Sequence, residues 1–121
     1  TADFPLRAGL DAALAFAETV GLDNVAIRNR YLSDYFKGRL SAMAGVTLLS
    51  GNTAQTSCPG STIFEMEGVD AMALVPVMDE QHSIHLDEHQ RDGHNAIRIS
   101  THIYNTTAGI DRLVAALEHL T

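Results

Sequence analysis

The sequence predicts an α+β domain in which a small antiparallel or mixed sheet is covered on one face by helices. Apolar residues recur at helical spacing in the first third of the chain and again after residue 106, while short β-prone segments occupy the middle. These segments come in hairpin-like pairs, and helices outside such pairs bury their apolar stripes against the sheet. We therefore predict the element order ααββαββα within a single domain that covers residues 1–121.

Two helices are predicted before any strand. Pro5 suits the first turn of a helix whose apolar spacing continues until Gly21, which supplies a stop. Asp23 can cap a second helix that ends at Gly45. An apolar stripe along this second helix marks it as amphipathic. The stripe consists of Val25, Leu32, Phe36, Leu40 and Met43.

The first pair of strands and a third helix follow. Val46–Leu49 and Thr62–Met66 have strand composition, and the loop between them is rich in Gly, Ser, Thr and Asn. Helical spacing over residues 70–82 predicts the third helix. Pro76 lies inside it and should remove a backbone hydrogen bond or kink the helix, because proline lacks the N–H of a helical hydrogen bond.

The second pair of strands and the last helix complete the chain. Ser83–Asp87 and Ala96–Ser100 are predicted as strands around a polar turn. Thr106 can cap a helix that Ile110 and the apolar residues after it mark. Gly109 stands where a Glu would complete a capping box, so the start of this helix should be weak.

Composition and charge limit the function classes. A chain of 121 residues, 45% of them hydrophobic, can fold alone as one domain. The net charge of −7 and eight scattered basic residues argue against nucleic acid, and no apolar run is long enough to cross a membrane. The single cysteine, Cys58, cannot form an internal disulfide, which favours the cytoplasm. Since Thr1 follows neither an initiator Met nor a signal, we expect a piece of a longer chain without a targeting peptide.

Arg98 is the residue that most needs an explanation. It lies between Ile97 and Ile99 on a predicted strand, where a guanidinium must face water, pair with an acidic residue or bind an anion. Its planar fork matches a carboxylate in two parallel hydrogen bonds. Spacing alone favours an exposed or paired arginine and leaves the anion site open.

Other candidate groups have simpler interpretations. Five of the six histidines lie between His82 and His102 without a zinc-like spacing, so we expect solvated or hydrogen-bonded histidines rather than a metal site. Cys58 lacks a basic sequence neighbour and is expected to be an ordinary thiol. Lys37, the only lysine, should be solvated and paired with Asp34 one helical turn away.

The segment R-I-S-T-H-I-Y-N-T from Arg98 to Thr106, followed by I-D-R-L on a helix, resembles the C-terminal end of class V aminotransferase-fold enzymes, which use pyridoxal phosphate (PLP). The opening T-A-D-F is similar to the G-T-x-D-[FY] segment of that family, so the resemblance covers the whole chain. It is strongest to the branch of cysteine desulfurases, cysteine lyases and isopenicillin N epimerase-like proteins.

The resemblance implies roles for three residues. Arg98 would bind the α-carboxylate of an amino-acid substrate, with His102 beside it, and Thr1 would contact the cofactor phosphate of the partner subunit in a homodimer. The Schiff-base lysine and the aspartate of the pyridine ring would lie in a large N-terminal domain outside these residues, and Lys37 would not replace that lysine. The chain would be the C-terminal small domain, inactive alone. Transfer, lyase cleavage, desulfuration and epimerisation remain open.

Two alternatives stay beside this interpretation. A stand-alone α+β module could use Arg98 to hold an acidic metabolite or a protein partner without a cofactor, and it should be a monodisperse monomer. The histidine cluster as a metal site is the weaker alternative, and a titration with zinc or nickel would test it.

Overall fold

The computed structural model describes residues 3–120. Within that range the chain forms helices and strands in the order ααββαββα, which confirms the predicted α+β class. The elements are α1 (Phe4–Val20), α2 (Leu22–Ser41), β1 (Val46–Leu48), β2 (Ser61–Met66), α3 (Ala71–His82), β3 (Asp87–His89), β4 (Ala96–Ser100) and α4 (Thr107–Glu118).

The strands form one antiparallel sheet in the order β1-β2-β4-β3. In this register Phe64 of β2 lies opposite Ile97 of β4. Arg98, the next residue of β4, lies opposite Ile63 on one side and Asp87 of β3 on the other. Since side chains alternate between the faces of a strand, these two sets of residues point to opposite sides of the sheet.

The hydrophobic core lies between one face of the sheet and the helices α2, α3 and α4. Phe64 and Ile97 are buried on that face. The rings of Phe36 in α2 and Phe64 meet edge to face with centroids 5.9 Å apart, a favourable arrangement for aromatic pairs. The predicted stripe of α2 is confirmed at its centre, where Leu32, Phe36 and Leu40 are fully buried.

Helix α1 differs from the other helices because none of its described residues is buried. Asp3 caps it by accepting a hydrogen bond from the Leu6 N–H at 3.0 Å. Large apolar side chains along the helix nevertheless face water, and Leu10 and Leu14 are 60% and 57% exposed. A helix with such side chains normally buries them against another surface.

The boundaries of α2 differ from the prediction. Asp23 is not its N-cap: Gly21 occupies that position with a φ of +90°, a conformation that glycine adopts readily, and joins α1 directly to α2. Asp23 lies in the first turn, where its carboxylate favourably meets the positive end of the helix dipole. The helix ends at Ser41 rather than at Gly45.

The third helix is confirmed, and the segment after it differs from the prediction. Pro76 lies inside the helix, as predicted. It removes only the bond to the Met72 carbonyl, and Met72 is 56% exposed, so water can satisfy that oxygen. The segment after the helix is not a strand from Ser83: Ser83 adopts the left-handed conformation as the C-cap, and the Ile84 N–H donates to the Met78 carbonyl at 3.0 Å. Pairing with β4 begins only at Asp87.

Thr106 caps α4 as predicted, with its hydroxyl accepting a hydrogen bond from the Gly109 N–H at 3.0 Å. None of the helices within residues 3–120 combines the length and the apolar character needed to cross a lipid bilayer.

Candidate functional site

Arg98 lies on the sheet face opposite the core. Its neighbours Ile97 and Ile99 are buried beneath the helices, and the alternation of β4 turns the arginine side chain away from them. The side chain is 43% exposed. The strand therefore holds a guanidinium on the outer face of the sheet while the residues on either side anchor it to the core.

The guanidinium is only partly used by the protein. Its Nη2 donates to Oδ2 of Asp87, the residue directly opposite on β3. Its Nε is buried but has no hydrogen-bond partner among the described residues. A buried donor without a partner is costly.

An open depression of about 260 Å³ contains Arg98. Its other lining residues are His85, Leu86, Asp87 and Ser100. The ring Nδ1 of His85 lies 2.7 Å from Oδ1 of Asp79 on α3. This depression can hold a small anion against the guanidinium, in surroundings that also carry negative charge.

His102 lies on the loop between β4 and α4, outside the residues that line the depression around Arg98. Its ring is exposed and stacks on Tyr104 with centroids 5.2 Å apart and planes inclined by 20°. A hydrogen bond within the loop holds its conformation, because Oδ1 of Asn105 accepts from the His102 N–H at 2.7 Å. The structure thus presents the two rings together on the surface. Thr1, the third predicted site residue, lies outside the described residues.

Two residues of the C-terminal motif, Asn105 and Asp111, make contacts that stabilise the fold. The Asn105 carbonyl accepts from Arg28 of α2 at 2.9 Å, and Asp111 accepts from Tyr35 of α2 at 2.7 Å and from Arg39. The hydrogen bond to Asp111 raises the pKa of Tyr35, because the neutral phenol is the better donor. These contacts tie α4 and its preceding loop to α2.

Lys37 corrects an expectation. Its side chain is buried rather than solvated, and its amine donates to the Gly51 carbonyl and to Oγ of Ser57, both at 2.8 Å. Burial lowers the pKa of Lys37, because the charged form is separated from water, while Asp34 and Cys58 act in the opposite direction. The only lysine of the chain therefore anchors the loop before β2.

The described residues do not form a cradle for PLP. The amine of Lys37 is already occupied by two protein acceptors, and the depression around Arg98 contains no other lysine or arginine. The partly exposed guanidinium of Arg98 fits a carboxylate group of a small molecule, whereas a PLP site needs a lysine for the Schiff base.

The histidines and the cysteine are dispersed. Nδ1 of His94 lies 3.0 Å from Oε1 of Glu65, which also accepts from the Asn95 N–H at 3.0 Å. Within residues 3–120 no three His, Cys, Asp or Glu side chains gather as they would around a metal ion. Cys58 is a free, exposed thiol on the loop that Lys37 anchors.

Asp87 is the site residue that sequence reasoning missed. Only its position opposite Arg98 in the sheet would have identified it. The predicted strand ended at Asp87, whereas the observed strand begins there. Since the pairing of the two strands depends on that boundary, the sequence pattern did not bring these two residues together.

Solved structures share this fold. The chain matches the cystine C-S lyase C-DES, in complex with its reaction product cysteine persulfide, with a TM-score of 0.83 and 24% identity over 98% of this chain and 30% of that one. It matches a cysteine desulfurase from Thermococcus onnurineus with a TM-score of 0.82 and 20% identity, over 93% of this chain and 30% of that one. At such identities the likeness shows the fold alone.

A third structure is the cysteine desulfurase CsdA from Escherichia coli, with a TM-score of 0.76 and 22% identity over 92% of this chain and 29% of that one. A variant of C-DES has glycine covalently linked to the PLP cofactor. The chain spans about 30% of the length of these proteins.

A search of curated protein sequences gave no significant match. The family model for class-V aminotransferases, in contrast, matches residues 1–113, nearly the whole chain. The structural likeness to a lyase and to desulfurases of the same fold agrees with that match. This chain therefore belongs to the class-V aminotransferase family.

Proposed function

We propose that this chain is the C-terminal small domain of a PLP-dependent enzyme that acts on an amino acid, and that Arg98 binds the α-carboxylate of the substrate. The observation that supports this role is the position of Arg98, whose side chain is 43% exposed on the outer face of the sheet and lines an open depression. A substrate carboxylate in the depression would meet the guanidinium in a charge-assisted hydrogen bond.

In the proposed enzyme, cofactor binding and substrate orientation are carried out by different domains. A large domain outside these residues would hold PLP, which supplies electron-sink chemistry, on a lysine of its own. The small domain would orient the substrate through Arg98, and the exposed rings of His102 and Tyr104 would lie on the substrate side. Thr1 would contact the cofactor phosphate of the partner subunit in a cytoplasmic homodimer. Alone, the domain would be inactive.

The uncovered apolar side of α1 supports a missing partner surface. Leu10 and Leu14 are more than half exposed, as are Phe4 and Phe16 near the two ends of the helix. Large apolar side chains exposed in this number along one helix usually belong to an interface. A stand-alone module that binds an acidic metabolite would keep the same Arg98 but would leave this surface in water, so the enzyme interpretation accounts for more of the structure.

The test uses the full-length protein that carries these residues. We expect visible absorbance from bound PLP and a spectral change when an accepted amino acid binds. Arg98→Ala should weaken that binding at least tenfold, because a hydrogen bond to a charged group contributes about 1.5–3 kcal/mol. Arg91→Ala is the matched control, since it removes the same charge from the neighbouring exposed turn.

Two results would contradict the proposal. A full-length protein without PLP absorbance would exclude the cofactor enzyme. Equal amino-acid affinity in Arg98→Ala and Arg91→Ala would remove Arg98 from the site while leaving the cofactor chemistry in place.

A further inference from the structure

A second cavity adjoins the depression around Arg98. It has a volume of about 400 Å³, is more enclosed than that depression, and lies between the end of α3, the end of β4 and the start of α4. The two cavities share His85 and Ser100 in their linings. Ser100 follows Arg98 by two residues on the same face of β4, a distance of about 7 Å. A small molecule held at Arg98 therefore lies within reach of the second cavity.

Aliphatic side chains line much of this second cavity. Ile84 comes from the segment after α3, and Ile110 and Leu113 come from α4. The core holds the last two in place, since each is only 5% exposed. Cavities that bind small molecules have volumes of about 300–1,000 Å³ and are lined mainly by apolar groups, as this one is. We call it the aliphatic pocket.

Three of the polar side chains that line the aliphatic pocket are bonded to the protein itself. The hydroxyl of Thr101 donates to the Pro59 carbonyl at 3.1 Å. Nη2 of Arg112 donates to the His82 carbonyl at 2.9 Å, and the hydroxyl of Thr106 is engaged in the cap of α4. A ligand that enters the pocket therefore meets mainly aliphatic surface.

From the shared lining and the aliphatic surface we infer that this pocket takes the side chain of the substrate, so that the Arg98 site favours amino acids with aliphatic side chains. The inference rests on the proposed function of Arg98 and deepens it by naming the substrate class. The carboxylate meets the guanidinium in the depression, and the side chain passes His85 and Ser100 into the aliphatic pocket. Contact with Ile110 and Leu113 then removes apolar surface of the ligand from water, which tightens binding.

The test compares two probes on the 121-residue chain, without cofactor or turnover. N-acetylglycine and N-acetylleucine have the same carboxylate, and only the second has an aliphatic side chain. Titrations follow the NMR signals of the methyl groups of Ile110 and Leu113, which report on the pocket, and of the backbone amide of Arg98, which reports on the depression. We expect N-acetylleucine to bind about tenfold more tightly than N-acetylglycine, and only N-acetylleucine to shift the methyl signals.

Gly109→Leu fills the aliphatic pocket without removing a buried side chain. Gly109 lines the pocket, and a Cβ at this position would lie 3.4 Å from Oγ1 of Thr106 and otherwise in open space. We expect this variant to reduce the preference for N-acetylleucine to less than twofold. Ala108→Leu is the matched control, because it adds the same side chain at the preceding exposed position, outside the pocket, and should keep the tenfold preference. Backbone amide spectra would verify that each variant is folded, and Gly109→Met replaces Gly109→Leu if that variant is not.

Arg98→Ala separates this inference from the proposed function, because it should weaken the binding of both probes about tenfold. If it weakens neither, the carboxylate role of Arg98 fails, and the inference fails with it. If it weakens both, but the unchanged chain binds the two probes equally or Gly109→Leu keeps the preference, the inference is overturned while Arg98 keeps its role.

The full-length protein provides a second measurement, through the spectral change on amino-acid binding. Leucine should bind more tightly than glycine there as well. Equal binding would show that another segment of the protein occupies the aliphatic pocket, and it would overturn the inference.

Discussion

Lys37→Met tests whether the buried lysine anchors the loop before β2. Methionine keeps an apolar stem of similar length but removes the amine, and with it the hydrogen bonds to the Gly51 carbonyl and to Oγ of Ser57. Hydrogen bonds from a charged donor contribute about 1.5–3 kcal/mol each, so the two together contribute about 3–6 kcal/mol. The cost of burying an ammonium offsets part of this. We expect a net loss of about 2 kcal/mol.

The free energy of unfolding is measured by urea denaturation followed by circular dichroism. A loss of this size should lower Tm by about 8 °C for a domain of this length. Arg30→Met is the matched control, because Arg30 is an exposed residue of the same helix and its removal takes away the same charge. The control should stay within about 0.5 kcal/mol of the unchanged protein.

The same variant has a pH dependence with a definite sign. Because burial lowers the pKa of Lys37 from 10.5, the unfolded state binds more protons than the folded state as the pH approaches that value. The stability of the unchanged protein relative to Lys37→Met should therefore rise between neutral pH and 10.5. The raised pKa of Tyr35 acts in both proteins and cancels from the comparison.

A double-mutant cycle with Ser57→Ala identifies the hydrogen bond itself. Ser57→Ala should cost about 1.5–3 kcal/mol in the unchanged protein and almost nothing in Lys37→Met, because the donor is already gone there. The reasoning is refuted if Lys37→Met is as stable as Arg30→Met, or if the cost of Ser57→Ala is the same in both backgrounds.

Two further predictions concern the last and the first helix. Thr106→Ala should lower the free energy of unfolding by about 1 kcal/mol because it removes the cap on the Gly109 N–H, and Thr106→Ser should retain most of that stability; equal losses in both would exclude the cap. Leu10→Gln with Leu14→Gln should reduce self-association of the isolated chain in sedimentation experiments without lowering stability, since both side chains are largely exposed; unchanged association would show that α1 is not the contact.

Much of the fold was predictable because its signals are local. The spacing of Leu32, Phe36 and Leu40 indicates a helix with one buried face, and the structure buries all three. Thr106 was predictable as a cap because capping depends on residues within one turn. The start of β3 was not, because Ile84 and Leu86 have strand-like composition but follow a left-handed C-cap at Ser83 before pairing begins.

The candidate site was harder to predict than the fold, because it depends on contacts between residues far apart in the sequence. Lys37 lies on the side of α2 opposite the apolar stripe, which predicts solvation, but the loop at Gly51 and Ser57 folds over it. Helix periodicity carries no information about a loop that returns from elsewhere in the chain. Likewise, Arg98 was recognisable from its sequence motif, whereas its partner Asp87 depended on the register of two strands.

The alternation of β4 separates the residues that stabilise this domain from those proposed to bind. Ile97 and Ile99 face the core, and Arg98 between them faces the outer side together with Asp87. A change at either isoleucine should therefore act through the free energy of unfolding, since truncation of a buried aliphatic side chain costs about 2–5 kcal/mol. A change at Arg98 or Asp87 loses only an exposed ion pair. Binding measurements on those variants can consequently be interpreted as effects on the site itself.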